Sequence, residues 1–225
     1  MMGTISKTLV MVALGVGTAL AGTITTVGTG GSPRNVLKID EFAVFGDMMA
    51  GMEVDVKMMD GSTDSCVWAA LGVGSGGCSG TKFTVSQSGD TFTGLWRLSR
   101  IGSVNIAMIA FNGLKGGVVF DRTFGGLVGT PGSALGGDAI GGTTGDNGEA
   151  FYLNPIAVKP MAPVGDVFAR MVINFDFGRG VRAAYWRADT DLATPDPVPE
   201  PAAWTMLLGG VLALGVSRAR RSRSL

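Results

Sequence analysis

The clearest pattern in the chain is Met52-Glu53-Val54-Asp55-Val56-Lys57-Met58, where apolar and polar residues alternate without a break. Alternation with a period of two puts one set of side chains in a core and the other in water, which predicts a half-buried strand. Asp60-Gly61 follows as a turn signal. Short β-type runs then recur at 66–71, 82–86, 91–99 and 104–111, with Ser88-Gly89-Asp90 placed as a hairpin loop and Asn112-Gly113 leading into a neighbouring run at 117–124. Residues 167–177 alternate again, with Val167, Ala169, Met171, Ile173, Phe175 and Phe177 on one face. Gly178-Arg179-Gly180 turns the chain into a strand at 181–188, and Asp189-Thr190-Asp191 reads as the loop that ends it. Strands spaced by about ten residues, with no sustained 3.6-residue period, predict a mainly β fold: an antiparallel β-sandwich of jelly-roll or Ig-like type.

Two stretches carry little to bury. Residues 23–33 are mostly Thr, Gly and Ser, as suits an exposed leader or an edge strand. Residues 125–148 hold ten glycines and hardly a large side chain, so ordering them costs backbone entropy with little burial in return, and a long surface loop is expected. Asp138 and Asp146-Asn147 offer oxygen ligands there, but no Asp-x-Asp-x-Asp-Gly loop is present, so a solvated loop is favoured over a Ca²⁺ site.

The ends have a different character from the middle. After Lys7, an apolar run over 9–20 leads to Ala19-Leu20-Ala21, the small-x-small pattern that signal peptidase reads at Ala19 and Ala21, so residues 1–21 are expected to be a helical secretory signal cleaved after Ala21. At the other end Pro199-Glu200-Pro201 forms a stiff extended tripeptide. An uncharged run over 202–216 and then Arg218, Arg220, Arg221 and Arg223 follow it. At about 1.5 Å per residue the apolar run reaches roughly 22 Å, enough to cross a bilayer once Trp204 and snorkelling arginines extend it, with the arginines held in the cytoplasm.

That order of parts closely resembles the PEP-CTERM sorting signal of Gram-negative bacterial envelope proteins. The resemblance covers 198–223. It implies recognition by exosortase, an integral-membrane cysteine transpeptidase-like enzyme, with processing at Pro199, Glu200 and Pro201 and retention by Arg218, Arg220, Arg221 and Arg223. It also implies a precursor anchored in the inner membrane, then a protein at the cell surface or in the extracellular matrix, with exopolysaccharide as a further expected partner. The expected domains are a signal peptide (1–21), an extracellular β-sandwich (22–193) similar to the bodies common in PEP-CTERM proteins, a Pro-rich linker (194–198) and the sorting signal (199–225) with a transmembrane helix over 202–217.

Charge and composition narrow the chemistry. Removing Lys7, Arg218, Arg220, Arg221, Arg223 and Glu200 with the ends turns 18 basic and 18 acidic residues into 13 and 17, a net charge of −4. A mildly acidic body argues against nucleic acid as a partner. The chain has no histidine, which excludes histidine triads and histidine metal sites. Cys66 and Cys78 are the only cysteines, an even count in a chain with export signals, and are read as one disulfide.

The acid pairs Asp40-Glu41, Glu53/Asp55 and Asp189/Asp191 are the visible candidates for acid–base partners. Glu53 and Asp55 read as one solvated strand face, and Asp189 and Asp191 as better cation ligands than catalysts. No catalytic residue, cofactor or metal site is assigned. The expected function is therefore a non-enzymatic structural or adhesive surface component. Its alternative is a carbohydrate-binding or glycoside-degrading module that stacks sugars on Trp68, Trp96, Tyr152, Tyr185 or Trp186.

Overall fold

The computed structural model describes residues 22–122 and 136–196. Its first strands are β1 (Gly22–Gly30), β2 (Arg34–Glu41), β3 (Glu53–Met58), β4 (Thr63–Val67), β5 (Ala69–Gly72) and β6 (Ser75–Ser79). Then come β7 (Phe83–Ser88), β8 (Trp96–Arg100), β9 (Ile106–Asn112) and β10 (Val118–Asp121). The last five are β11 (Ile140–Gly145), β12 (Gly148–Val158), β13 (Val167–Asn174), β14 (Val181–Arg187) and β15 (Asp189–Pro195). Two 3-10 turns, Gly46–Met49 and Gly113–Gly116, are the other regular elements among the described residues.

The alternation seen in the sequence becomes burial. In β3, Val54, Val56 and Met58 are buried while Asp55 and Lys57 face water, and β3 pairs antiparallel with β4 across the Asp60-Gly61 turn. All fifteen strands of the described residues belong to one hydrogen-bonded sheet in the order β4-β3-β9-β13-β10-β15-β2-β12-β1-β11-β14-β8-β7-β6-β5, with β9–β14 and β13–β12 pairings joining distant parts of that order. The main core gathers around Trp96, which stacks on Trp186 at 6.0 Å between ring centroids and meets Phe111 edge-on at 5.3 Å. A smaller cluster of Val36, Val119, Ile156, Val158, Val167, Ala169 and Ala193 lies beside β10 and β15.

Cys66 and Cys78 form the disulfide, with their Cα atoms 5.8 Å apart, tying β4 to β6. In the chain-entropy picture, closing a loop of this length stabilises the fold by about 3 kcal/mol. Inside that loop Trp68 donates its indole N–H to the Gly46 carbonyl at 2.8 Å. Gly76 lies so close that a β-carbon would meet the Gly46 oxygen at 1.9 Å, so only glycine fits there.

Several sequence expectations are corrected. The sheet is not wholly antiparallel, because β12 runs parallel to both β1 and β2. Residues 23–33 are no exposed leader: β1 occupies an interior position between β12 and β11. The glycine-rich stretch is not loop throughout, since β11 and the start of β12 lie in it. At Gly141 a β-carbon would fall 2.0 Å from the Tyr185 oxygen of β14, so the glycine lets two backbones close up. The 83–100 hairpin turns through 89–95 rather than through three residues, and β9 and β10 are not hairpin neighbours but successive partners along β13. Phe177 is half exposed rather than on the core face. Asp189 and Asp191 are in β15 instead of a loop, and that strand takes in Thr194 and Pro195 of the expected linker. Among the described residues no helix is long and apolar enough to cross a membrane. The signal segment with Ala19 and Ala21, the sorting motif Pro199-Glu200-Pro201, the 202–217 helix and Arg218, Arg220, Arg221 and Arg223 lie outside the described residues.

Candidate functional site

β10 ends on Asp121 and β15 begins on Asp189, and the antiparallel register sets these two residues directly opposite each other. Asp191 lies two residues further along β15. Residues two apart on a strand share a face, so Asp191 falls diagonal to Asp121 on the side that Asp189 occupies. All three side chains are buried, with residue exposures of 0%, 1% and 0% for Asp121, Asp189 and Asp191. One carboxylate oxygen from each lies within 4.8 Å of the other two.

The surroundings hold this geometry firmly. Thr91 donates its backbone N–H to the Val44 carbonyl at 2.8 Å and its hydroxyl to Asp189 Oδ1 at 3.1 Å. The Thr190 amide in turn donates to the Thr91 hydroxyl at 3.2 Å. Asp189 Oδ2 is buried with no hydrogen-bond partner among the described residues. On the β10 side, the chain returning at 136–139 packs on Asp121: the Gly137 amide donates to the Asp121 carbonyl at 3.1 Å, and a β-carbon on Gly136 would sit 2.2 Å from Asp121 Oδ1. Arg122 is drawn away to Asp138, with Nε 2.6 Å from Oδ1, while its guanidinium lies 6.0 Å from the centre of the Tyr152 ring.

Such packing of acids has an electrostatic consequence. At 4.8 Å and an effective dielectric of about 20, each pair of ionised carboxylates repels by roughly 3 kcal/mol. Three such pairs amount to roughly the whole stability of a domain. Burial raises the Asp189 carboxyl to about 7, against the Thr91 hydrogen bond that favours ionisation, with the charges of Asp121 and Asp90 adding to the rise. The candidate ligand atoms are three carboxylate oxygens, a set suited to a hard cation.

The other sequence candidates fall elsewhere. Glu53 and Asp55 are on β3 as expected; Glu53 accepts from Asn112 Nδ2 at 3.2 Å and faces Lys115 at 3.8 Å. Asp40 pairs with Lys38 at 2.6 Å, and this bond holds its carboxyl below the usual range. Asp138 pairs with Arg122 and is not gathered with Asp146, whose Oδ2 accepts the Arg179 and Gly180 amides at 2.5 and 2.7 Å. Asn147 Oδ1 accepts the Thr23 amide at 3.0 Å. Trp68, Trp96, Tyr152 and Trp186 are buried and Tyr185 is half-buried. The sequence pointed to Asp189 and Asp191 but missed Asp121, which closes the apolar run Val-Val-Phe and carries no local mark of its partners.

Comparison with protein-family models, with curated proteins and with solved structures finds no match for this chain.

Proposed function

We propose that this chain is an exported, non-enzymatic β-sandwich protein of the bacterial cell surface or extracellular matrix, sorted through a C-terminal PEP-CTERM signal and acting as a structural or adhesive component among exopolysaccharide. The observation that carries the reading is the order of Pro199-Glu200-Pro201, an uncharged run and Arg218, Arg220, Arg221 and Arg223. The body supports it in two ways. A disulfide ties β4 to β6, and disulfides persist in oxidising compartments outside the cytoplasm. Among the described residues the last strand ends at Pro195, with three residues between it and Pro199 in the sequence, which leaves room for a short spacer.

The buried acids do not suit glycoside hydrolysis, where the two carboxyl groups flank a substrate at about 5–9.5 Å and reach it from an open cleft. Here they lie within 4.8 Å of one another and out of contact with water.

The test is mass spectrometry of the C-terminus of the protein recovered from the cell surface. Processing predicts a chain ending near Pro199–Pro201, and Pro199→Ala with Glu200→Ala should leave the uncut precursor in the inner membrane. Surface protein that still carries Arg223 would overturn the sorting reading.

A further inference from the structure

We propose that Asp121, Asp189 and Asp191 hold one Ca²⁺ ion, and that this ion fastens β15, the last strand of the body, to β10. The inference stands on the arrangement of the three acids and is independent of the sorting reading.

Two oxygens bound to one ion can be no farther apart than twice the bond length. For Ca²⁺, with ligands at about 2.4 Å, that limit is about 4.8 Å, which the three carboxylates satisfy mutually. A second observation is independent of the acidity of the cluster. Asp189 belongs to a residue only 1% exposed, one of its oxygens is fixed by Thr91, and its Oδ2 is buried with no hydrogen-bond partner among the described residues. A buried carboxylate oxygen without a donor is costly, and an ion would supply what no described protein group does.

The choice of ion follows from the ligands. With no histidine in the chain and both cysteines in the disulfide, zinc and copper lack their usual donors. Mg²⁺ requires a near-octahedral shell at about 2.1 Å and keeps several waters, which a site sealed from solvent is poorly built to provide. Ca²⁺ accepts six to eight oxygens in loose geometry, including bidentate carboxylates.

The position of the site gives the ion a structural task. Asp121 and Asp189 are opposed in the ladder, so the β10–β15 pairing begins on two acidic side chains facing each other. With a cation, the same residues become the clasp that closes the final strand. Folding of the body is thereby coupled to calcium, whose extracellular modules bind at about 10⁻⁴–10⁻³ M.

The experiment takes the full chain, freed of metal with EDTA, and records its melting temperature with added CaCl₂ or MgCl₂. Ca²⁺ at about a hundred times its dissociation constant should raise the melting temperature by about 5–10 °C, with a smaller rise from equal Mg²⁺. The Asp189→Asn and Asp191→Asn chains should lose that rise, while Asp55→Asn, altered on the outward face of β3, should keep it. TbCl₃ gives a readout that needs no variant. Trp96 donates its indole N–H to the Ala188 carbonyl, one residue from Asp189, so tryptophan excitation should produce Tb³⁺ emission that Ca²⁺ displaces. No rise at that Ca²⁺ concentration, an equal rise in the Asn chains, a larger effect of Mg²⁺, or no sensitised Tb³⁺ emission would each overturn the proposal. None of these results bears on C-terminal processing, so the two readings fail separately.

Discussion

Asp64 and Asp189 are both carboxylates drawn into the sheet, and their surroundings treat the charge in opposite ways. Asp64, on β4, accepts the Ser65 amide at 3.0 Å on one oxygen, and the Lys82 amide at 2.8 Å and the Thr81 hydroxyl at 3.2 Å on the other. Burial works to raise its carboxyl, but these donors outweigh it and hold the group below the usual carboxylate range. Asp189 has one hydroxyl donor and two acids beside it, and burial raises it to about 7. Depth and the supply of donors both separate the two: Asp64 is half-buried and well supplied with donors, whereas Asp189 is buried with few. Asp64 acts as a latch between β4 and the start of β7 that needs nothing from outside, whereas Asp189 belongs to a cluster that is incomplete by itself.

The largest test of this contrast is pH. The folded value of Asp189 lies above its unfolded value near 4, so folding takes up a proton between the two. The metal-free chain should therefore be most stable below about pH 4 with respect to this group and lose that contribution as pH rises to about 7, by roughly 4 kcal/mol. Among the described residues, the groups facing Asp189 are Asp121, Asp191, Asp90 and Thr91, none of them a cation. Urea denaturation of EDTA-treated protein at pH 5 and pH 8 measures the slope, and a chain more stable at pH 8 would contradict it. Next in size is Asp189→Asn in metal-free protein at pH 8. The amide oxygen still accepts from Thr91 while the penalty of ionising Asp189 in the fold vanishes, so stability should rise by up to roughly 4 kcal/mol, unlike most substitutions at buried polar sites.

How much of this contrast could be read beforehand depends on which interactions are local. β3 was legible because its alternation is contained in seven residues, and the disulfide because two cysteines have one way to pair. β1 and β11 were not, since Gly-Thr segments gain their place only from partners more than a hundred residues away or from a close approach to β14. Asp189 and Asp191 stood out as a pair, but polar residues after a strand resemble a loop. Their burial comes from β10, and Asp121 is 68 residues away in sequence. The third ligand was invisible because register, not motif, brings it in.

A smaller effect should come from Gly136, whose backbone frames the cluster. A β-carbon there would fall 2.2 Å from Asp121 Oδ1 and 2.8 Å from Oδ2, too close for either atom to stay in place. Gly136→Ala should displace the carboxylate or the returning chain, cost about 1–3 kcal/mol by overpacking, and weaken Ca²⁺ binding in calorimetry. An unchanged affinity would show that this backbone does not define the site.

The smallest expected effect is at the other pole of the comparison. Asp64→Ala removes the acceptor for the Ser65 and Lys82 amides, but Asp64 is only half-buried, so water can replace part of what is lost. A loss of about 1 kcal/mol is expected by urea denaturation at pH 7, with no dependence on Ca²⁺. The pH response should also run opposite to that of Asp189. The folded Asp64 carboxyl lies below its unfolded value, so its contribution is present above about pH 4 and is lost as pH falls through the folded value. The difference between native and Asp64→Ala chains should therefore shrink on acidification, whereas the difference between native and Asp189→Asn chains, without metal, should shrink as well but already between about pH 7 and pH 4. If both differences closed over the same pH range, burial and donor supply would not be what distinguishes the two carboxylates.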